Sequence, residues 1–161
     1  MKVKIALVFL LFSITLIGLL GCDYEEVRKT TGGGWFNDYD TGAKVTFGFS
    51  AIPTVPDPED PTGNTWDLAK GKIQLIDHST KTKVHGTFEW AYHKATDQAT
   101  EFWGLCSING MDGFYFFVDF WDEGEVGPDK GDAIGFYIYG GPESYYWQGE
   151  LGGGNIKIHR R

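Results

Sequence analysis

The sequence TEFWGLCSINGMDGFYFFVDFW, residues 100–121, places two apolar segments on either side of an Asn109-Gly110 pair. Apolar side chains recur at every second position in both segments, which is the period of a β-strand. Asn-Gly is a strong hairpin signal, and the turn is predicted over residues 109–113. This stretch therefore predicts two antiparallel strands joined by a tight hairpin.

The same period recurs outward from this hairpin and predicts eight strands in all. Their approximate ranges are 43–51, 73–77, 84–92, 100–108, 114–120, 134–138, 145–151 and 155–159. Turn-forming residues separate them at 78–81, 109–110, 140–142 and 152–154. The chain is therefore predicted to be all-β, as a single antiparallel sandwich or closed barrel of about eight strands. Glycine triplets at 32–34 and 152–154 favour pairing of the first and last strands, which would close a barrel.

Two of these strands, residues 101–108 and 114–121, are apolar on both faces. One interpretation is that they are central strands, with the core on one side and a loop or partner on the other. The other is that their outer face displays aromatic side chains for binding. Cys106 shares a face with Phe102 and Ile108, which predicts a small buried hydrophobic residue rather than a reactive thiol.

The amino-acid composition excludes several classes of protein. The 161 residues include 23 Gly, 12 Phe, 6 Trp and 8 Tyr, with 14 Lys+Arg against 22 Asp+Glu and a net charge of −8. Many glycines and aromatics without a low-complexity tract exclude a disordered chain and a helical bundle. The acidic balance disfavours binding to nucleic acid, whose phosphates it would repel.

The N-terminus has the pattern of an export signal. Lys2 and Lys4 precede an uncharged apolar run from Ile5 to Leu20, which is too short for a typical spanning helix. The run ends in Leu19-Leu20-Gly21-Cys22, which resembles the lipobox of bacterial lipoprotein precursors. The resemblance implies cleavage after Gly21, diacylation of the Cys22 sulfur and acylation of the new N-terminus. The alternative is an ordinary secretory signal followed by a chance cysteine.

The resemblance also predicts the organisation and location of the chain. Residues 1–21 would be the lipoprotein signal peptide, residues 22–31 the lipidated Cys22 and its tether, and residues 32–161 the β-domain. Two or three acyl chains anchor a protein stably, whereas one does not. The domain is therefore expected at a bacterial cell membrane, held in the lipid bilayer through acylated Cys22 and facing the periplasm or the exterior.

An acidic stretch near residue 125 is the candidate metal site. Five carboxylates lie on or beside a glycine-containing loop; they are Asp119, Asp122, Glu123, Asp129 and Asp132. Calcium takes six to eight oxygen ligands with flexible spacing, so calcium is the candidate cofactor of this loop, although acidic turns between strands are most often solvated. The spacing matches no EF-hand, and the alternative is a solvated acidic turn.

Candidate ligand contacts come from aromatic residues and from one long loop. Residues 52–71 contain four prolines and are predicted to form an extended loop, which is either functional or an insertion without a task. Trp66 in this loop, together with Tyr137, Tyr139 and Trp147, forms the predicted contact set. Such rings can stack on sugar faces, so a glycan or an envelope protein is the predicted partner. The alternative is that these rings pack beneath loops of the domain.

No motif for catalysis is present: HExxH, paired CxxC, the P-loop and the nucleophile elbow are all absent. A hydrolase would need two carboxylates converging in a cleft, and the sequence singles out no pair. The sequence therefore predicts a non-catalytic β-domain with a binding or structural role. A hydrolase ranks third, behind the carrier described below.

Two resemblances concern the β-domain. The segments GGGWF at 32–36, TFGF at 46–49, IDH at 76–78, VHG at 84–86 and GGGNIKIH at 152–159 resemble a small accessory domain of secreted and surface-anchored bacterial proteins. That resemblance implies no assigned chemistry. Residues 33–36 also look like the opening motif of lipocalins, which implies a carrier of an apolar ligand with Trp35 plugging the barrel floor. The other lipocalin signatures are absent.

Overall fold

The computed structural model describes residues 27–56, 67–93, 98–123 and 131–160. Within these ranges the chain forms eight β-strands and no helix. The strands are β1 (Val27–Asn37), β2 (Lys44–Pro56), β3 (Asp67–Asp77), β4 (Lys83–His93), β5 (Ala99–Ile108), β6 (Met111–Trp121), β7 (Ala133–Tyr139) and β8 (Tyr145–Arg160). The predicted all-β class and strand number are confirmed.

The strands form a closed barrel with simple up-and-down topology. Each strand pairs antiparallel with the next one along the chain, and β8 pairs antiparallel with β1. Of the two predicted architectures, the barrel is therefore the one observed. Closure removes the unpaired edges that an open sheet would expose.

The seam between β1 and β8 uses the two glycine triplets. Gly34 pairs with Gly154 and Gly33 with Asn155, which confirms the predicted pairing of the first and last strands. The prediction of a turn at residues 152–154 is wrong, because these glycines lie inside the continuous strand β8. A Cβ on Gly154 would lie only 2.1 Å from the Gly33 carbonyl oxygen, so the glycines permit a close backbone approach.

The start of the barrel also differs from the predicted boundary. β1 begins at Val27, so residues 27–31 belong to the barrel and not to the tether predicted over residues 22–31. β1 is not among the predicted strands. The predicted strands 145–151 and 155–159 form the single strand β8, so the number of strands is still eight.

Trp35 does not plug the barrel floor as the lipocalin resemblance implies. It lies on the outer surface over β8, where a Cβ on Gly152 would come within 2.3 Å of its ring. Lys44 Nζ is 4.5 Å from the ring centroid on the same surface. The next residue, Phe36, points inward and is fully buried.

The predicted hairpin forms, but its turn is shorter than residues 109–113, because β6 already begins at Met111. Ile108 pairs with Met111, which leaves a two-residue turn, and both turn residues have positive φ (51° and 84°). These angles fit the type I′ turn, whose twist matches that of the flanking strands.

The proline-rich connection is shorter than predicted. β2 continues through Pro53 to Pro56, and β3 already begins at Asp67, so residues 57–66 alone separate the strands. Pro53 lies next to a register shift in the β2–β3 pairing, where a strand tolerates a residue without an N–H group. Trp66 is outside the described residues.

Aromatic side chains fill the interior of the barrel. The largest fully buried ones are Phe36, Phe88, Phe102, Phe116, Phe120 and Phe136. Phe49 stacks on Phe120 with 3.7 Å between ring centroids. Cys106 is buried as predicted, and burial raises the pKa of its thiol to about 12, so the thiol is uncharged at neutral pH.

A buried hydrogen-bond cluster closes one end of the barrel, which we call the turn end because it carries turns 78–82 and 109–110. Trp147 lies inside the barrel there and its Nε1 donates to Asp77 Oδ2 at 3.2 Å. Asp77 also accepts bonds from the backbone N–H and hydroxyl of Ser79 and from those of Thr80, at 2.7 to 3.3 Å. The opposite end, where β1 begins and β8 ends, is called the N-terminal end.

Candidate functional site

The outer surface of strands β5 to β8 carries a continuous group of large apolar side chains. We call it the aromatic face; its members are Trp103, Leu105, Tyr115, Phe117, Tyr137, Tyr139 and Tyr146. On β5 and β6 these residues alternate with inward-facing core residues, so both faces of these strands are apolar. One face forms the core, and the other remains outside the barrel.

Strand register orders these side chains in rows that run across the strands. Trp103 on β5 pairs with Phe117 on β6, Phe117 with Tyr137 on β7, and Tyr137 with Tyr146 on β8. Trp90 on β4 pairs with Trp103 and extends the row to five aromatic residues on five neighbouring strands. We call this set the aromatic row. Since neighbouring strands lie about 4.8 Å apart, the row spans about 19 Å.

Neighbouring rings of the face contact one another. Trp103 and Phe117 have ring centroids 5.1 Å apart, and those of Tyr137 and Tyr146 are 5.0 Å apart. Tyr139 stacks on Tyr115 at 5.7 Å and meets Trp103 edge-on at 5.9 Å. Cross-strand aromatic pairs of this kind stabilise a sheet, and here they also fix the orientation of the exposed rings.

Much of this surface remains accessible. Leu105, Tyr115, Tyr137 and Tyr146 are 40 to 49% exposed. Large apolar side chains that cluster outside a soluble domain commonly mark a binding surface. The cluster is therefore the best candidate site among the described residues.

A polar row borders the aromatic row, two residues away on each strand and nearer the N-terminal end of the barrel. Glu101 on β5 pairs with Asp119 on β6, which in turn pairs with Gly135 on β7, and Gly135 pairs with Gln148 on β8. Tyr146 donates its hydroxyl hydrogen to Gln148 Oε1, which joins the two rows. Carboxylate and amide oxygens thus lie beside the rings as hydrogen-bond acceptors.

Acidic side chains act on this face electrostatically. The pKa of Tyr146 is raised, first by burial and then by the charges of Asp40, Asp119, Tyr137 and Asp38. The pKa of Tyr139 is also raised, by burial and by Tyr115. Strands β5, β6 and β7 contain no Lys or Arg, whereas the outer positions of β1 to β4 include Lys44, Lys72 and Lys83.

Two carboxylates of the predicted calcium loop accept hydrogen bonds from the backbone of β8. β7 is much shorter than β8, so the far half of β8 pairs only with β1. Asp132 Oδ2 accepts the N–H of Ile156 at 2.8 Å, and Asp122 Oδ2 accepts the N–H of Ile158 at 2.8 Å. These carboxylates thereby satisfy donors that a longer β7 would have bonded.

The other predicted calcium ligands do not join them in a metal site that the structure describes. Glu123 gives its backbone N–H to Asp132 Oδ1, at 3.1 Å. Asp119 lies on the outer surface of β6, beside the aromatic row, and Asp129 is outside the described residues. In the described ranges, no group of three or more His, Cys, Asp or Glu side chains is arranged to hold a metal ion.

The predicted ligand contacts are divided between the two faces of the barrel. Tyr137 and Tyr139 belong to the aromatic face. Trp147 does not, because it is 5% exposed and bonded to Asp77 inside the barrel. The aromatic face also includes Trp103, Tyr115 and Phe117, which are outside the predicted contact set. The sequence signal for them is that both faces of β5 and β6 are apolar, but this pattern does not show which face lies outside the barrel.

No protein-family model, curated protein or solved structure matches the chain. Among the described residues, no helix is long and apolar enough to cross a membrane.

Proposed function

We propose that this chain is a lipid-anchored, non-catalytic binding module of a bacterial cell envelope that binds its partner on the outside of the barrel. The observation that carries the proposal is the aromatic face, where four large side chains remain 40 to 49% exposed on neighbouring strands. The face lies on the rigid wall of a closed barrel, so its rings are held in place before a partner binds.

The barrel interior supports an external site over a carrier function. An eight-stranded barrel has an interior only wide enough for side chains or one small ligand. Here Phe49 on β2 stacks on Phe120 on the opposite strand β6, with 3.7 Å between ring centroids, which indicates that side chains fill this space themselves. A lipocalin-like carrier of an apolar ligand would instead line a cavity with accessible side chains.

The buried carboxylates support a non-catalytic role. Asp38 accepts the N–H groups of Thr41 and Gln148, and Asp77 and Asp122 accept the bonds described above. Each of these carboxylates therefore holds a turn or a strand in place. A hydrolase would place two carboxylates in a cleft around a scissile bond.

The proposed anchor lies close to the barrel in the sequence. Cys22 precedes Val27 by five residues, and five extended residues span at most about 17 Å. Acylated Cys22 would therefore hold the N-terminal end of the barrel near the bilayer. The aromatic face is on the side wall, where a bilayer below the N-terminal end leaves it accessible.

Replacing the proposed lipid-bearing cysteine is expected to abolish acylation of the protein. With Cys22→Ser, we expect a chain without acyl groups that also keeps residues 1–21, because acylation requires the thiol and the lipobox resemblance ties cleavage to the same cysteine. Intact-mass measurement of the protein from a Gram-negative host should show cleavage after Gly21 and acyl chains on the wild type alone. Cys106→Ala is the matched control and should be cleaved and acylated like the wild type. A wild type without acyl chains, or a Cys22→Ser chain that still carries them, would contradict the anchor.

Chemical footprinting of tyrosines tests the position of the binding surface. We expect envelope material to protect Tyr115 and Tyr137 from nitration in the lipidated protein, because a bound partner would cover both. Tyr39 is 60% exposed and lies outside the aromatic face, so its nitration should not change. The measurement is the modified fraction of each tyrosine by peptide mass spectrometry. Equal nitration of all three with and without envelope material would contradict an external site on this face.

A further inference from the structure

We propose that the aromatic face binds a neutral polysaccharide chain that lies across the strands, along the aromatic row. This inference rests on the external binding site proposed above and specifies the class of its ligand. Three properties of the face support it: the regular spacing of its rings, the acceptors beside them and the sign of its charge.

The spacing of the row suits a polymer with a ring in every unit. Trp90, Trp103, Phe117, Tyr137 and Tyr146 repeat once per strand over about 19 Å. The C–H faces of a sugar ring are apolar and pack on aromatic rings, as other flat apolar groups do. A chain that crosses the strands meets one aromatic side chain after another, so several sugars can bind at once.

The border of the row suits the edges of sugar rings, which carry hydroxyl groups. Glu101, Asp119 and Gln148 lie in the adjacent row and supply carboxylate and amide oxygens. On the other side of the row, Tyr115 and Tyr139 carry phenolic hydroxyls, which both donate and accept hydrogen bonds. A sugar with its face on the rings can therefore direct its hydroxyls toward polar groups on both sides.

The charge of the face favours a neutral ligand over an anionic one. No Lys or Arg lies on β5, β6 or β7. The charges of Asp40, Asp119 and Asp38 act on Tyr146 within the row. Phosphate, sulfate or uronate groups would be repelled here, and so would an anionic lipid surface. Neutral sugars carry no charge and are therefore not repelled.

The test measures binding of defined oligosaccharides to the lipidated protein in nanodiscs, by titration calorimetry. The probes are β-1,4-linked hexamers and dimers of glucose and of N-acetylglucosamine, with a polygalacturonate hexamer and hexalysine as charged comparisons. We expect at least one neutral hexamer to bind at least tenfold more tightly than its dimer, because the row contacts several sugars. We expect no binding of the polygalacturonate hexamer.

Variants of the face should weaken this binding while a matched control should not. Trp103→Ala and Tyr137→Ala are each expected to weaken hexamer binding at least tenfold, which corresponds to about 1.4 kcal/mol. Tyr137 is 46% exposed, so its replacement keeps the test valid if Trp103→Ala does not fold. Ile76→Ala is the control, since Ile76 is an exposed apolar residue on β3, outside the face. Circular dichroism melting confirms that each variant is folded.

The outcomes separate this inference from the function on which it rests. If no neutral hexamer binds but envelope material still protects Tyr115 and Tyr137, the inference of a polysaccharide ligand is wrong, and the proposed external binding site is still supported. If hexalysine binds in place of the sugars, the ligand is a cationic partner and the inference is overturned. Binding that Tyr137→Ala leaves unchanged would also overturn it. Failure of both binding and protection would refute the two proposals together.

Discussion

Gly154→Ala is expected to destabilise the barrel by at least about 3 kcal/mol, a large part of the 5–15 kcal/mol that stabilises a typical domain. Gly154 has φ of +108°, a conformation that strains any residue with a Cβ. The added methyl group would also lie 2.1 Å from the Gly33 carbonyl oxygen and 2.5 Å from Gly34 Cα. Both contacts are to backbone, so neither can be relieved by a change of rotamer. The strands at the seam would have to move apart.

Gly48→Ala is the matched control for this prediction. Gly48 is an exposed glycine on β2, and a Cβ there would have no neighbour within 4 Å. Its replacement should change the free energy of unfolding by less than about 1 kcal/mol. Urea denaturation, followed by tryptophan fluorescence, measures both variants. Equal stability of Gly154→Ala and Gly48→Ala would show that the seam is not as closely packed as the structure indicates.

Asp77→Asn is expected to cost about 2–4 kcal/mol of stability at neutral pH, because hydrogen bonds to a charged acceptor are stronger than those to a neutral one. The wild-type carboxylate accepts bonds from Ser79, Thr80 and Trp147, and an amide group replaces one of its acceptor oxygens with a donor. Asp112→Asn is the control, since Asp112 is exposed beside the β5–β6 turn. A loss below about 1 kcal/mol would contradict a structural role for the cluster.

The contribution of the Asp77 carboxylate to the free energy of unfolding should also depend on pH. Burial alone would raise the pKa of this carboxyl, but the bonds from Ser79, Thr80 and Trp147 outweigh burial and lower the pKa from 3.8 to about 2. The ionised form is therefore favoured by folding, and its stabilising contribution is fully present above pH 3.8 and lost as the pH falls through 2. The difference in stability between wild type and Asp77→Asn should shrink from pH 5 to pH 2 in urea denaturation. A difference independent of pH would contradict this assignment.

The sequence predicts the parts of this fold that depend on local conformation. The Asn109-Gly110 turn needs only the φ preferences of its two residues, and strand period follows from alternation within each segment. The turn predicted at residues 152–154 is wrong because glycine favours turns in general, whereas these glycines allow β1 to approach β8. The two triplets together predict that the first and last strands pair, but no local pattern shows that β8 continues through residues 152–154 without a turn.

The candidate site was less predictable than the fold for a similar reason. Alternation places Tyr146 and Trp147 on opposite faces of β8, but it does not determine which face points inward. The aromatic row depends in addition on the register of five strands, including a shift between Phe88 and Trp90 on β4. The backbone bonds of Asp122 and Asp132 arise from the unequal lengths of β7 and β8, and tertiary contacts set these lengths.

The pairing of β1 with β8 has a consequence for how the chain folds. Seven of the eight strand pairings join consecutive strands, so they form between neighbours in the sequence and close small loops. The eighth joins Val27 to Arg160 and can form only after β8 has been synthesised. The chain therefore has an open sheet with two unpaired edges until its last strand is available. The short delay before closure is the time at which this protein most needs protection from aggregation.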